Sequence, residues 1–360
     1  MTPFMRTLLI LPALSFAVAC SDKDDGKGGG TDGTTGSEEA DADTDADTDS
    51  DTDADTDADT DADTDADTDA DTDADTDADI VGLTVSAAVT ELTSRDRGEF
   101  TVTADLSDGT SMDVTADADV TTNDDTLAKV YETGFLQPLD AGDVVLTATY
   151  ETESADATFT ITVDAATAGD LVINEVLSDG TVEGDPNGDG TLNSTEDEFI
   201  ELANIADATV DLSGVVIQED DFPFVPRHTF AAGTHLKAGE AIVIYGGGDA
   251  SSMSADNARF VVADNDDPGL QYGLSLANSG EHIVIIAADG TTTITELAYG
   301  DADETGPDAI LDASLTLDPD VWGTDYTHHT YATDSDGDFS PGMYVDGSSY
   351  PGPDGRYTVE

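Results

Sequence analysis

The stretch from residue 185 to residue 196 has the residue types and spacing of a calcium-binding loop. Its sequence is Asp-Pro-Asn-Gly-Asp-Gly-Thr-Leu-Asn-Ser-Thr-Glu. Twelve-residue calcium loops supply oxygen ligands from alternating positions, turn sharply at a central glycine and end on a bidentate glutamate. The spacing therefore predicts oxygens from Asp185, Asn187, Asp189, the Thr191 carbonyl and Glu196, and from Asn193 directly or through water, with a turn at Gly190 and Leu192 pointing inward.

The segments on either side of this loop have the alternating pattern of strands, not the periodicity of helices. Sensor loops act by opening a pair of helices, so we expect a fixed structural calcium ion here. A solvated polar loop is the alternative, because chance matches are easier in a chain rich in aspartate.

Three further clusters of polar residues are candidate sites. Asp334, Asp336 and Asp338 form a shorter acidic turn, and position 345 is valine where a twelfth-position acid would stand, so a second ion there is left open. The run from 264 to 267 is interpreted as a solvated loop. His328 and His329 are adjacent, and neighbouring residues of a strand point to opposite faces, so we expect surface groups that do not share one ion.

No catalytic motif accompanies these residues. The sequence lacks a Gly-x-Ser-x-Gly elbow, a His-Glu-x-x-His pair and a phosphate loop, and Gly246-Gly247-Gly248 is expected to be a turn. We predict that the protein is not an enzyme. A metal-dependent hydrolase stays open as an alternative, and it requires His328 or His329 buried in a cleft with at least two carboxylates.

The formal net charge of the 360 residues is -71. Residues 21–79 hold 26 acidic residues and two lysines, while residues 80–360 hold 55 acidic and seven basic residues, a difference of -48. This charge repels phosphate backbones and anionic headgroups and attracts divalent cations. We therefore expect no nucleic-acid partner.

Residues 1–19 have the pattern of a signal peptide. An apolar run from Leu8 to Ala19 is too short to span a bilayer, and Cys20 follows it directly. The sequence Ala17-Val18-Ala19-Cys20 resembles the lipobox of bacterial lipoproteins, which implies cleavage before Cys20, a palmitate-type lipid anchor on it, and the outer membrane or cell surface as the location. An ordinary secretory signal is the alternative.

Residues 20–79 are a low-complexity tract in which every odd-numbered position from 41 to 79 is aspartate. Carboxylates at every second residue repel one another, and alanine and threonine bury too little surface to offset the loss of chain entropy. We predict a disordered Asp-Ala-Asp-Thr stalk. A calcium repeat is disfavoured because the tract from 41 to 79 has no glycine to turn the chain around an ion.

From residue 80 onward, short alternating segments separated by turn pairs predict an all-β protein with two sandwiches. The first covers residues 80–166. It resembles the group 2 bacterial Ig-like domains in the strand 100–106 with its turn 107–110, in the segment 127–130, in Ala141-Gly142 and in the last strand 159–163. Thr121 stands where that family often has a core tryptophan.

The second predicted sandwich covers residues 169–346, and residues 347–360 are expected to be a tail. It resembles the lamin-tail domain, an Ig-like sandwich, in Ile173-Asn174-Glu175, the segments 198–204, 210–214, 236–239 and 274–281, Trp322, and Phe339-Ser-Pro-Gly342. The expected fold is thus two Ig-like β-sandwiches after a disordered acidic linker.

These features together predict a non-catalytic, lipid-anchored envelope or surface protein that presents calcium-stabilised domains for adhesion or binding to an unidentified ligand. The main alternative is a calcium-dependent carbohydrate-binding module. It requires a strip of exposed aromatic rings, for which the candidates are Tyr245, Tyr272, Tyr299 and Trp322. We expect these residues to be ordinary core or edge residues instead.

Overall fold

A computed structural model describes residues 78–179, 184–219, 225–263, 273–303, 306–308 and 313–357. The predicted signal peptide, Cys20 and the stalk up to residue 77 lie outside the described residues, as do positions 264–267 and Tyr272. In the part that is described, no helix has the length and apolar character needed to cross a bilayer.

The first β-sandwich packs a five-stranded sheet, in the order β1-β3-β7-β6 with β4 paired to β3, against a four-stranded sheet in the order β2-β9-β8-β5. Its strands are β1 (Ile80–Ala87), β2 (Glu91–Thr93), β3 (Gly98–Leu106), β4 (Ser111–Asp113), β5 (Asp119–Thr122), β6 (Ala128–Glu132), β7 (Phe135–Pro138), β8 (Gly142–Tyr150) and β9 (Glu153–Thr162).

Alternating apolar residues build the core of this sandwich. Buried and accessible residues alternate along β3, and the buried set includes Phe100, Val102 and Ala104. In the opposite sheet, Val144 and Phe159 are directly paired and fully buried. A period of two places one face of each strand inward, and this sequence signal predicted these strands correctly.

The second sandwich has a six-stranded sheet in the order β18-β17-β12-β11-β21-β22, a four-stranded sheet β15-β14-β19-β20 and a small sheet β10-β13-β16. Its strands are β10 (Asp164–Ala165), β11 (Leu171–Leu177), β12 (Phe199–Asn204), β13 (Val210–Asp211), β14 (Val216–Glu219), β15 (Val225–Thr229), β16 (His235–Leu236), β17 (Ala241–Tyr245), β18 (Ala258–Val262), β19 (Gly280–Ile286), β20 (Thr293–Gly300), β21 (Leu315–Asp318) and β22 (Asp325–His328). Short helices follow at Ala250–Ser252, His329–Tyr331 and α1 (Gly352–Tyr357).

The central strands β11, β12 and β17 are buried on both faces. On β12, Ile200 and Leu202 point into the main core, while Phe199 and Ala203 belong to two smaller clusters on the outer face. Glu201 lies between those two and is fully buried as well. Something must therefore cover the outer face of this sheet, and the residues after β22 do so.

Polar contacts join the two sandwiches. The chain passes from the first sandwich to the second through strand β10, which pairs in parallel with β13. The Thr209 hydroxyl donates to the Leu139 carbonyl at 2.7 Å, and the Arg95 guanidinium contacts Asp170 at 2.7 Å. His235 Nδ1 lies 2.5 Å from Asp140 Oδ1. The junction is consequently held by hydrogen bonds and ion pairs that tie each domain to the other.

The segment expected to be a tail is packed against both domains up to Tyr357. Tyr350 is only 2% exposed. In α1, Asp354 accepts hydrogen bonds from the Lys129 ammonium at 2.8 Å and from the Tyr131 hydroxyl, both in the first sandwich. Arg356 contacts Asp207 of the second sandwich at 2.9 Å. The C-terminal residues therefore fasten the junction, which their polar composition did not reveal.

Candidate functional site: the acidic loop and the buried carboxylates

The predicted calcium loop forms a compact turn stabilised by its own amides. Asp185 accepts hydrogen bonds from the amides of Asp189 and Gly190, and Asp189 Oδ1 accepts one from the Thr191 amide at 2.7 Å. Gly190 has a φ of +86°, the left-handed conformation that the loop pattern requires at this position. Leu192 is 64% exposed, so its predicted inward orientation is wrong.

The loop rests on the glycine turn that follows β17. The Gly247 amide donates to the Glu196 carbonyl at 3.0 Å, and Asn187, which is fully buried, lies against Gly248. A Cβ atom on Gly248 would be 2.4 Å from Asn187 Nδ2, and one on Gly246 would be 1.9 Å from the Thr195 carbonyl oxygen. The three glycines form a turn, as predicted, because side chains there would displace the loop.

Asp197, next to the last predicted ligand, was missed by the loop pattern. Its Oδ2 accepts a hydrogen bond from the Asn193 amide at 2.7 Å, but its Oδ1 is buried and has no hydrogen-bond partner in the described structure. Burial raises the pKa of Asp197 to about 6, and the nearby charges of Asp185, Asp189 and Glu196 act in the same direction. A buried carboxylate oxygen without a partner is costly unless a cation satisfies it.

The carboxylates of the loop do not converge on one point. Across the described ranges, no group of three or more His, Cys, Asp or Glu side chains is close enough together to hold a metal ion. This holds for Asp185, Asp189 and Glu196 and equally for the turn with Asp334, Asp336 and Asp338. The turn with Asp334, Asp336 and Asp338 makes a backbone contact instead. Its Gly337 carbonyl accepts a hydrogen bond from His329 Nδ1 at 2.9 Å.

Two buried glutamates are neighbours on the outer face of the six-stranded sheet. Glu175 on β11 and Glu201 on β12 are direct cross-strand partners, and neither side chain is accessible to solvent. Like charges at such positions repel, and burial adds a desolvation penalty. Burial is the main cause that raises the pKa of both carboxyl groups above the ordinary range.

Donors from the C-terminal residues satisfy this pair. The Ser314 hydroxyl and both the amide and hydroxyl of Ser340 donate to Glu175. The Gly342 amide donates to Glu201 at 2.6 Å, and the Tyr350 hydroxyl does so at 2.5 Å. These bonds hold residues 338–350 over the outer face of the sheet, because leaving buried carboxyl oxygens without donors would cost free energy.

Asn174 completes the cluster beside Glu201. Its Nδ2 lies 3.0 Å from Glu201 Oε1 and 2.9 Å from the Tyr350 hydroxyl, and its Oδ1 accepts from the Val321 amide at 2.8 Å. Gly342 has a φ of +82°, and a Cβ atom there would be 2.5 Å from the Phe260 ring. Three of the motifs that resemble the lamin-tail domain, those around Asn174, Glu201 and Ser340, thus meet in this cluster.

The prediction that both histidines are surface groups is wrong for His329, which is fully buried. Its Nδ1 donates to the Gly337 carbonyl and its Nε2 shares a hydrogen bond with the Ser340 hydroxyl, each at 2.9 Å. Burial lowers the pKa of His329. Its two ring nitrogens hold the turn that carries Ser340 toward Glu175, and neither contacts a carboxylate in the described structure.

The strip of exposed aromatic rings that the carbohydrate-binding alternative requires does not form from Tyr245, Tyr299 and Trp322. Tyr245 and Tyr299 are fully buried, and each hydroxyl donates to a backbone carbonyl, of Pro186 and Ala277 respectively. Trp322 is 61% exposed, with the Arg356 guanidinium 5.0 Å from the ring centroid. The rings of the two tyrosines belong to the core, as expected for ordinary core residues, and this counts against the carbohydrate-binding alternative at these positions.

Residues 164–301 match the family model of the lamin tail domain. No curated protein matches the chain. Among solved structures, a DUF4876 family protein from Bacteroides thetaiotaomicron is similar at 8% identity and a TM-score of 0.30, covering 71% of this chain and 78% of that one.

Two structures of the S-layer protein SbsC are also similar. Domains 5–6 match at 14% identity and a TM-score of 0.20, covering 65% of this chain and 99% of that one. Domains 4–9 match at 13% identity and a TM-score of 0.21, covering 67% and 32%. Likeness at these scores assigns no function.

Buried carboxyl groups predict that the second sandwich loses stability as the pH rises. Burial raises the pKa of Glu198, which is 2% exposed, to about 8. The folded state therefore binds more protons than the unfolded state, and its stability falls as the pH rises from the ordinary glutamate range through about 8. Between pH 5.5 and 8 we expect a loss on the order of a few kcal/mol, measured by denaturant titration in chelator at constant salt.

The variant Glu198→Gln keeps an acceptor for the Leu276 amide, which donates to Glu198 at 3.0 Å, and removes the titration. Its stability should depend less on pH than that of the wild type, whereas Glu99→Gln at an exposed position should leave the dependence unchanged. An identical pH dependence in Glu198→Gln would show that this group does not titrate on folding.

Proposed function

We propose that this protein is a non-catalytic, lipid-anchored envelope protein that presents a rigidly joined pair of β-sandwiches away from a bacterial membrane. The observation that carries the proposal is the lamin tail domain match at residues 164–301, in the second sandwich, which the junction contacts described above fasten to the first. Two domains can be presented as one unit if their relative position is fixed. The hydrogen bonds and ion pairs between the two sandwiches supply that restraint.

The remaining parts of the chain support the same role. Cys20 is the only cysteine in the sequence and directly follows the apolar run of the predicted signal peptide. The following 59 residues, if extended, would span on the order of 200 Å, and mutual repulsion favours extension. The chain would thus be anchored at Cys20 and hold its folded part far from the lipid surface.

A hydrolase is a weaker candidate than a binding module. A metal-dependent hydrolase would need a histidine with free ring nitrogens and two carboxylates beside it in a cleft. His329 is the buried histidine of the suspected pair, and both of its nitrogens are engaged by Gly337 and Ser340. We therefore favour presentation and binding over catalysis.

We further propose that the loop from Asp185 to Glu196 binds one structural calcium ion. The unpartnered Oδ1 of Asp197 supports this, because a cation would satisfy that oxygen and offset the repulsion among Asp185, Asp189 and Glu196. None of the ion pairs in the described structure involves these four acids. The ligand set would then be Asp185, Asn187, Asp189, Thr191, Glu196 and Asp197, with rotation of the carboxylates toward the ion.

Calcium binding predicts a difference between thermal melts of the full chain in calcium and in chelator. A site filled far above its dissociation constant adds about 3–4 kcal/mol, which corresponds to several degrees. The double variant Asp185→Asn with Asp189→Asn should abolish the difference, and Asp117→Asn, an exposed change in the first sandwich, should preserve it. Identical wild-type melts in calcium and chelator would eliminate the site.

Lipidation predicts that the full chain, expressed in a bacterial host, incorporates labelled palmitate and enters the detergent phase. Cys20→Ser should lose both properties, because no other cysteine is present. Protease added to intact cells then distinguishes a surface location, in which the folded part is cleaved from the cell, from a periplasmic one. Palmitate on the Cys20→Ser variant would contradict the proposed anchor.

A further inference from the structure

A cleft of about 420 Å³ lies at the junction of the two sandwiches. The first sandwich contributes one wall, and the other wall comes from Asp207 and the end of α1. This volume lies within the range of small-molecule sites. Six lining residues carry the argument: Arg95, Arg97, Tyr131, Phe135, Arg356 and Tyr357.

Three arginines line this cleft, together with three acids, Asp96, Glu132 and Asp207. From residue 80 onward the chain has seven basic residues against 55 acidic ones, and three of the seven line this one cavity. Charges beyond about 8 Å are largely screened at physiological ionic strength, so the groups in the walls decide what enters. The three arginines balance the three acids of these walls, so the cleft lacks the net negative charge of the chain as a whole and a small anion can reach guanidinium donors there.

Ion pairs orient the guanidinium groups without using all their donors. Arg95 contacts Asp170 through Nη2 at 2.7 Å, and Arg97 contacts Glu132 through Nη2 at 2.6 Å. The side chains of these arginines remain 38% and 51% exposed. A guanidinium has five N–H donors in a planar fork that matches a carboxylate, so each retains donors for a ligand.

Aromatic rings stand beside these donors. The Tyr131 and Tyr357 rings come from different domains, and their centroids are 5.5 Å apart at an angle of 44°. The Arg97 guanidinium lies 4.1 Å from the Phe135 ring centroid. Aromatic faces offer apolar area next to polar edges, which suits a ring that is apolar on its faces and hydroxylated at its rim.

We propose that this cleft binds a saccharide that carries a carboxylate, a uronic acid residue in a glycan. The carboxylate would bond to the guanidinium donors, and the sugar ring would lie against the tyrosine and phenylalanine rings. A long polyanion such as a nucleic acid fits less well, because the acidic surface around the cleft repels every phosphate that stays outside it. The site depends on the packing of α1, since Arg356 and Tyr357 belong to that helix.

Calorimetry of the full chain with trigalacturonate tests the proposal. We expect saturable binding, and a change in the emission of Trp322, the only tryptophan, because Arg356 stacks on it. The methyl ester of the same saccharide retains the rings and removes the charge, so it should bind at least about tenfold more weakly. A peptide with the sequence Asp-Ala-Asp-Thr-Asp-Ala-Asp-Thr supplies carboxylates without sugar rings and should also bind weakly.

Arg97→Gln is the informative variant because Arg97 pairs with Glu132 in its own domain and does not bridge the junction. It should weaken trigalacturonate binding at least about tenfold. The control Arg259→Gln should not weaken it, because Arg259 pairs with Glu240 and does not line the cleft. Absence of binding, equal binding of the methyl ester or the peptide, or an unaffected Arg97→Gln would each overturn the proposal.

Discussion

The surplus of carboxylates is the constraint on which the rest of this structure depends. Seven basic residues cannot neutralise 55 acidic ones from residue 80 onward, so most acids must remain in solvent or find other partners. Buried glutamates take hydroxyl and amide donors in place of cations, as Glu175 and Glu201 do. Arg95, Lys129 and Arg356 are used where two surfaces are joined, whereas Arg97, Arg227 and Arg259 pair with acids of their own domain. The acidic loop, by our proposal, takes a divalent ion.

The buried pair of glutamates also explains why the C-terminal residues are part of the fold. An apolar outer face on β11 and β12 would accept any apolar cover, but two carboxylates require specific donors at specific places. Ser340, Gly342 and Tyr350 provide them, and the chain must pass over the sheet to do so. From Tyr350 it continues directly into α1, which reaches the first sandwich through Asp354. One C-terminal segment therefore covers the buried glutamates at one end and fastens the domain junction at the other.

The strands could be predicted from sequence because their signal is local. Alternation along residues 100–106 and 144–150 determines which side chains face the core, and the structure places them so. The role of a polar residue could not be predicted in the same way, because it depends on partners distant in the chain. The partners of His329 lie in a turn eight to eleven residues later in the chain. The partner of Tyr350 is a glutamate 149 residues earlier. Asp197 lies one position beyond the pattern that describes calcium loops. The burial of Tyr245 and Tyr299 was expected, but the carbonyl that each hydroxyl contacts is not indicated by the sequence.

Self-repulsion in the Asp-Ala-Asp-Thr tract is the central claim, because the proposed role requires residues 21–79 to be a spacer and the residues after 79 to be the presented body. Hydrogen–deuterium exchange of the full chain measures this most directly. We predict that amides of residues 21–79 exchange at the rate of unstructured chain, while amides of β11, β12 and β17 stay protected. Protection lasting minutes within residues 21–79 would reveal a folded element and contradict the account.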